Sequence, residues 1–286
     1  MSQVYDNTVA SLGEGPLWHP ERGQLYWFDI HGCKLHTRED GATRSWSFDE
    51  NVSAAGWVDD TYLLVASETR LFRFNIETGA SEDVVAMEAD NAETRSNDGR
   101  ADPWGGFWIG TMAKHEQTPA GTFYRYYKGE LRPLYDQIRI TNACCFSPDR
   151  KYAYFCDTGD NLVKRVTLNP EDGWPVGEPE VWLDLSGNPW GVDGAVMDAE
   201  GNFWNAQWNG WRVACYAPDG SFVREIKVGG AHSSCPAFGG EDLTTLFVTT
   251  AGGRVTNQDR ARSADQGKVF YEENVAKGQA EHRVIL

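Results

Sequence analysis

The chain has 286 residues, 30 of them Gly and 36 of them Trp, Tyr or Phe, and a formal net charge of −16. So acidic a chain is a poor ligand for phosphate backbones and anionic membrane surfaces, and the expectation is no nucleic-acid and no membrane partner. No apolar stretch approaches the roughly 20 residues of a membrane-spanning helix.

Taken in chain order, short apolar or alternating runs are broken by polar turns almost throughout. Gly13-Glu14-Gly15-Pro16-Leu17-Trp18 is followed by the turn Glu21-Arg22-Gly23 and the aromatic run Leu25-Tyr26-Trp27-Phe28. Trp57-Val58 leads through Asp59-Asp60 into Tyr62-Leu63-Leu64-Val65. Ser96-Asn97-Asp98-Gly99-Arg100 precedes Phe107-Trp108-Ile109, and Thr141-Asn142-Ala143-Cys144-Cys145-Phe146 precedes Tyr152-Ala153-Tyr154-Phe155. Val192-Asp193-Gly194-Ala195-Val196 precedes Phe203-Trp204-Asn205, and Phe238-Gly239-Gly240 leads to Leu246-Phe247-Val248. No long segment holds a helical apolar period. Six such copies at about 48 residues each predict an all-β chain, a six-bladed β-propeller with four-stranded blades, occupying residues 1–286 as a single domain.

Lys268-Val269-Phe270-Tyr271 and Arg283-Val284-Ile285-Leu286 are candidates to pair with Gln3-Val4-Tyr5. The last blade would then be closed by N- and C-terminal strands, leaving no exposed edge. Polar stretches at 114–121 and 253–268 read as exposed loops. The opening Met1-Ser2-Gln3-Val4-Tyr5-Asp6 lacks the basic start and apolar run of a signal peptide. The six Cys form no Cys-x-x-Cys pair and sit mostly in apolar runs. Both features predict a cytoplasmic protein with reduced thiols.

In a ring of blades, residues at one repeat phase converge on the axis. Glu14, Asn97, Asn142 and Asp193 share that phase, with spacings of 83, 45 and 51 residues. Two carboxylates and two amide carbonyls suit a divalent cation with water in the open positions. The alternative is ordinary turn chemistry, since Asn and Asp before Gly are common turn residues. Arg95 lies two residues before Asn97, on the same face of an extended strand. It is a candidate hydrogen-bond donor to a polyhydroxy substrate, or an ion-pair partner for Glu93. The chain has no Gly-x-Ser-x-Gly, phosphate loop or His-Glu-x-x-His. Its six His, scattered without metal-ligand spacing, read as surface or turn residues. Trp204, Trp208 and Trp211 read as blade core more readily than as a sugar-stacking platform.

These motifs, in order and over almost the whole chain, resemble the senescence marker protein/gluconolactonase/luciferin-regenerating enzyme family. The resemblance implies a propeller with one divalent metal at the axis and hydrolysis of a sugar lactone, such as gluconolactone or a pentonolactone, to the aldonic acid. It implies Glu14, Asn142 and Asp193 as metal ligands, Arg95 and Asn97 as substrate-binding residues, and Asp193 as the general acid/base. The metal would be Ca2+ or Zn2+ first, with Mg2+ or Mn2+ also tolerated, and the assembly a monomer or small homo-oligomer. The chain departs from the family where Ala143 replaces the glycine expected after Asn142, and where Glu116 is the one candidate for a second acidic substrate contact. Two other readings stand beside this one: a calcium-dependent hydrolase of phosphotriesters with a similar ligand set, and a non-catalytic metal-binding propeller.

Overall fold

A computed structural model describes residues 2–115 and 118–286; Glu116 lies outside the described residues. Among the described residues the chain is all-β apart from one short helix. The N-terminal strand β1 (Gln3–Asp6) is followed by four strands of a first sheet: β2 (Gly13–His19), β3 (Gln24–Asp29), β4 (Lys34–Glu39) and β5 (Ala42–Ser47). Next come β6 (Val52–Trp57), β7 (Tyr62–Ser67), β8 (Arg70–Asn75) and β9 (Ser81–Ala86), then β10 (Thr94–Ala101), β11 (Phe107–Ala113), β12 (Gly121–Tyr127) and β13 (Glu130–Ile138). A fourth sheet holds β14 (Thr141–Phe146), β15 (Tyr152–Asp157), β16 (Leu162–Leu168) and β17 (Pro175–Asp184). The remainder are β18 (Gly191–Met197), β19 (Phe203–Trp208), β20 (Arg212–Tyr216), β21 (Phe222–Lys227), β22 (His232–Gly239), β23 (Thr245–Ala251), α1 (Asn257–Arg262) and β24 (Val269–Glu272).

Among the described residues the first sixteen strands after β1 form four four-stranded antiparallel meanders. The rest form one eight-stranded sheet, itself two runs of four: β18 to β21, and β22-β23-β24-β1. Among the described residues the two runs are joined as a sheet only at the pair Trp208 and His232. This is the sheet architecture of a β-propeller. Strand β1 pairs antiparallel with β24, Val4 opposite Phe270. Arg283-Val284-Ile285-Leu286 does not pair with β1: Val284 N–H donates to Trp57 O (2.8 Å) and Ile285 N–H to Gly105 O (2.9 Å).

The second strand of each sheet explains the aromatic runs. A strand covered on both faces reads as continuously apolar rather than alternating. In β3, Tyr26 and Phe28 pack toward Leu63, Val65 and Phe72 of the next sheet. Leu25 and Trp27 point the other way, to Phe247 and Val269. In β19, Phe203 packs toward Cys145 and Tyr154, while Trp204 packs toward Phe238 and Val248. Apolar clusters thus lie between successive sheets, and the last run of strands packs back on the first sheet. Outer strands such as β5, β9 and β21 are largely exposed.

The first strands of the sheets pack on one another in sequence, β2 on β6, β6 on β10, β10 on β14, β14 on β18, β18 on β22, and β22 on β2. All six cysteines are free thiols, and all but Cys33 are buried. The 253–268 stretch, expected as plain loop, contains α1, whose Thr256 and Asp259 form a reciprocal capping box. Among the described residues, no helix is long and apolar enough to cross a membrane.

Candidate metal and substrate site

Each first strand loses register with its neighbour at the same place. The irregularities fall between Glu14 and Leu17, Val52 and Ala54, Ser96 and Gly99, Asn142 and Cys145, Val192 and Ala195, and Ser233 and Pro236. A bulge re-aims the side chain beside it. The side chains at or beside these irregularities are Glu14, Ser53, Asn97, Asn142, Asp193 and Ser234. Backbone requirements differ along the series. Gly15, after Glu14, has φ 51°, and Ala143, after Asn142, has φ 60°. The left-handed region is where glycine is ordinarily needed, so Ala143 is a strained substitute.

Glu14, Arg95, Asn97, Asn142 and Asp193 line one cavity of about 600 Å³. All five are buried. Arg95 Nη1 donates to Asn97 Oδ1 (2.8 Å) and to Ser96 O (2.8 Å). Asn97 Nδ2 donates to Thr141 O (2.8 Å) and to Asn142 Oδ1 (3.1 Å). Asn142 Nδ2 donates to Thr158 Oγ1 (2.8 Å), and Thr158 Oγ1 donates to Val192 O (2.6 Å). Hydrogen bonds therefore run from β10 through β14 to β18. Elsewhere on the ring Ser53 Oγ bonds Ser96 Oγ (2.8 Å), and Ser234 Oγ donates to Gly13 O (2.5 Å).

The electrostatics are those of a site short of positive charge. Burial, then the nearby Asp98, pushes the Glu14 carboxyl up, against the Gly15 N–H (3.0 Å) and Arg95. Burial, then Glu14 and Asp98, drives Asp193 well above the usual carboxylate range. Asp98, which accepts from Cys144 N–H (2.8 Å), is itself raised to about 6 by burial. Among the described residues no three His, Cys, Asp or Glu side chains gather as a metal cluster. The donor set instead joins two carboxylates to amide oxygens, which is the chemistry of a hard divalent cation. A cation would neutralise the charge that burial makes costly, so these residues fit one.

The remaining wall is mixed. Leu12, Met112, Ile140 and Trp208 supply apolar surface. Trp208 stacks on His232, centroids 4.1 Å apart and planes 8° from parallel. Trp204 is a core residue whose Nε1 donates to Asp198 (3.0 Å), as blade packing predicts. Trp211 lies away from this cavity, against Arg262. The histidines correct the expectation of surface or turn positions. His19, His36 and His232 are buried, and His19 Nε2 bonds Asp59 O (2.9 Å) outside the site. Thr158 escapes the sequence reading because it does not stand at the axial repeat phase, whereas His232, read there as a surface or turn residue, lies in the cavity wall.

Residues 12–252 match the SMP-30/Gluconolactonase/LRE-like region, and the chain belongs to that family. It is 34% identical to the L-arabinolactonase of Azospirillum brasilense, over 97% of this chain and 93% of that protein. It is 32% identical to the 6-deoxy-6-sulfogluconolactonase of Pseudomonas putida, over 84% and 83%. Among solved structures it is similar to a calcium-binding protein, regucalcin, from Agrobacterium tumefaciens. That similarity has a TM-score of 0.97 and 36% identity, covering 100% of this chain and 98% of that one.

Proposed function

We propose that the protein is a six-bladed propeller, one domain over residues 1–286, that hydrolyses a sugar lactone to its aldonic acid with one divalent cation held by Glu14, Asn142 and Asp193. The observation that carries this reading is the convergence of two buried, mutually destabilised carboxylates with Arg95 and Asn97 in one cavity. The cyclic packing of first strands and the names of the relatives support it.

A bound divalent cation would supply Lewis-acid polarisation of the lactone carbonyl. The chain's own residues do the rest. Asp193, held among the ligand residues beside the lactone, takes the proton of the attacking water. The ester C–O bond then breaks and the proton passes to the departing ring oxygen, so Asp193 ends in its starting state. Arg95 and Asn97, locked to each other at 2.8 Å, present fixed polar groups to the sugar hydroxyls. Leu12, Met112, Ile140 and Trp208 cover the less polar faces of the ring. Polar groups beside the carboxylates favour a hydroxylated lactone over an apolar phosphotriester.

The test is a pH-drop assay on a panel of pentono- and hexonolactones, with chelated protein and with Ca2+, Zn2+, Mg2+ or Mn2+ restored singly. Chelation abolishes turnover, one of these cations restores it, and Asp193→Ala folds without turning over. Wild-type rates from protein shown by elemental analysis to be metal-free overturn the cation's role.

A further inference from the structure

We infer that Thr158 is a positioning residue that turns the Asn142 amide so that its oxygen, not its nitrogen, is offered to the cation; this rests on the reading of the site just given. The two ends of an amide are normally assigned only by their partners. Here the partners leave one solution. Thr158 Oγ1 lies 2.6 Å from Val192 O, a carbonyl that can only accept, so the hydroxyl hydrogen is committed there. Oγ1 can then only accept from Asn142, and the group 2.8 Å away must be the NH2 end. The opposite end agrees independently. Asn97 Oδ1 accepts from Arg95, and its Nδ2 donates to Thr141 O, which fixes Nδ2 as the donor that meets Asn142 at 3.1 Å. Thr158 is itself anchored, its N–H donating to Ile140 O (3.0 Å).

An amide oxygen ligates a divalent cation and an NH2 does not. Without the Thr158 hydroxyl, the NH2 end loses its acceptor and the amide is held only by the single contact of its oxygen with Asn97 Nδ2. Outer partners that orient a ligand typically contribute about 10–100-fold in metal affinity. Thr158→Val keeps the shape and removes the hydroxyl.

The measurement is calorimetric titration of chelated protein with Ca2+ and with Zn2+, alongside melting of the metal-free forms. Thr158→Val is expected to weaken binding about 10–100-fold, and Thr158→Ser to restore it. In an Asn142→Asp background both ends of the side chain are oxygen, so Thr158→Val then costs less than threefold. The double-mutant comparison separates orientation from loosened packing, which would cost the same in both backgrounds. If Thr158→Val does not fold, Thr158→Ala against Thr158→Ser gives the same contrast. Wild-type affinity in Thr158→Val, with wild-type protein binding the cation, overturns the role of Thr158 and leaves the metal site standing. Wild-type protein that takes up none of Ca2+, Zn2+, Mg2+ or Mn2+ removes the site reading and this inference together.

Discussion

Glu14 and Asp193 are charges that burial makes costly unless a cation accompanies them, and the sign of that cost is testable. The Glu14 carboxyl is pushed from about 4.5 to about 8, by burial first and Asp98 second. Asp193 moves the same way. A raised folded-state pKa means the native protein holds protons that the unfolded chain releases. Stability from this group is therefore full below about pH 4.5 and is lost as pH rises toward 8. Other carboxylates shift in the opposite direction, Glu130 held low by Arg132 for one, so the clean comparison is with Glu14→Gln. In chelated protein, Glu14→Gln should melt above wild type at pH 8, and the gap should shrink toward pH 5. The stabilisation of wild type by Ca2+ should grow over the same interval, because the cation binds the ionised form. A gap that does not change with pH would show that Glu14 is not the strained group inferred from its burial.

The bulged first strand is the element that turns a repeat in sequence into a site. Glu14 and Asn142 are each followed by a left-handed residue, and the two cases differ in what surrounds it. A Cβ on Gly15 would press on the Ser53 carbonyl oxygen and on Ala54 of the neighbouring strand. The Ala143 methyl instead sits in an apolar cluster with Cys156 and Val192. Gly15→Ala should therefore cost about 3 kcal/mol in strain and overpacking, lowering Tm by about 5 °C. Ala143→Gly relieves about 1–2 kcal/mol of backbone strain but gives up about 0.8 kcal/mol of methyl burial and frees the unfolded chain. It should stay within about 1 kcal/mol of wild type. Denaturant melts of both variants decide the point, and equal losses would remove the argument. The element scale also explains what the sequence makes visible. The phase shared by Glu14, Asn97, Asn142 and Asp193 is legible because charged and amide side chains are rare at buried strand starts. Ser53 and Ser234 hold matching positions on β6 and β22, yet serine is too common to mark them. Thr158 lies just past β15, one strand away from the axial phase. The second strands are legible because burial on both faces makes them continuously aromatic.

At the scale of the molecule, the strands that begin at the site end at a strap formed by the C-terminal residues. Gly278 bridges Asp198, and Gln279 Nε2 donates to Phe146 O (3.2 Å) and Met197 O (3.3 Å). Trp57 Nε1 donates to Glu281 O (2.8 Å), and the Glu281 carboxylate pairs with Arg100, both buried. Arg283 Nε donates to Val58 O (2.5 Å), and Val284 is wholly buried with Ala54, Ala101 and Phe107. The strap thus ties the far ends of β6, β10, β14 and β18, opposite the end where Asn97, Asn142 and Asp193 stand. A sequence reading of Arg283-Val284-Ile285-Leu286 as a strand missed this, because an apolar tetrapeptide serves equally as an edge strand or a plug. Removing residues 279–286 leaves Arg100 buried without its carboxylate, about 3–5 kcal/mol, and loses the burial of Val284, about 1.5–3 kcal/mol. The truncated protein should melt at least about 7 °C lower. At temperatures well below that melt the protein should still bind the cation, since no strap residue lines the cavity, with affinity changed only through Arg100 and its neighbour Asp98. A Glu281→Leu, Arg100→Met pair in the full chain should recover most of the ion pair's contribution, because paired apolar residues often replace a buried salt bridge at little cost. Glu281→Leu alone should not. Were truncation to abolish cation binding at a temperature where circular dichroism still reports native strand content, the two ends of the ring would have to be coupled, and the separation of site from strap drawn here would fall.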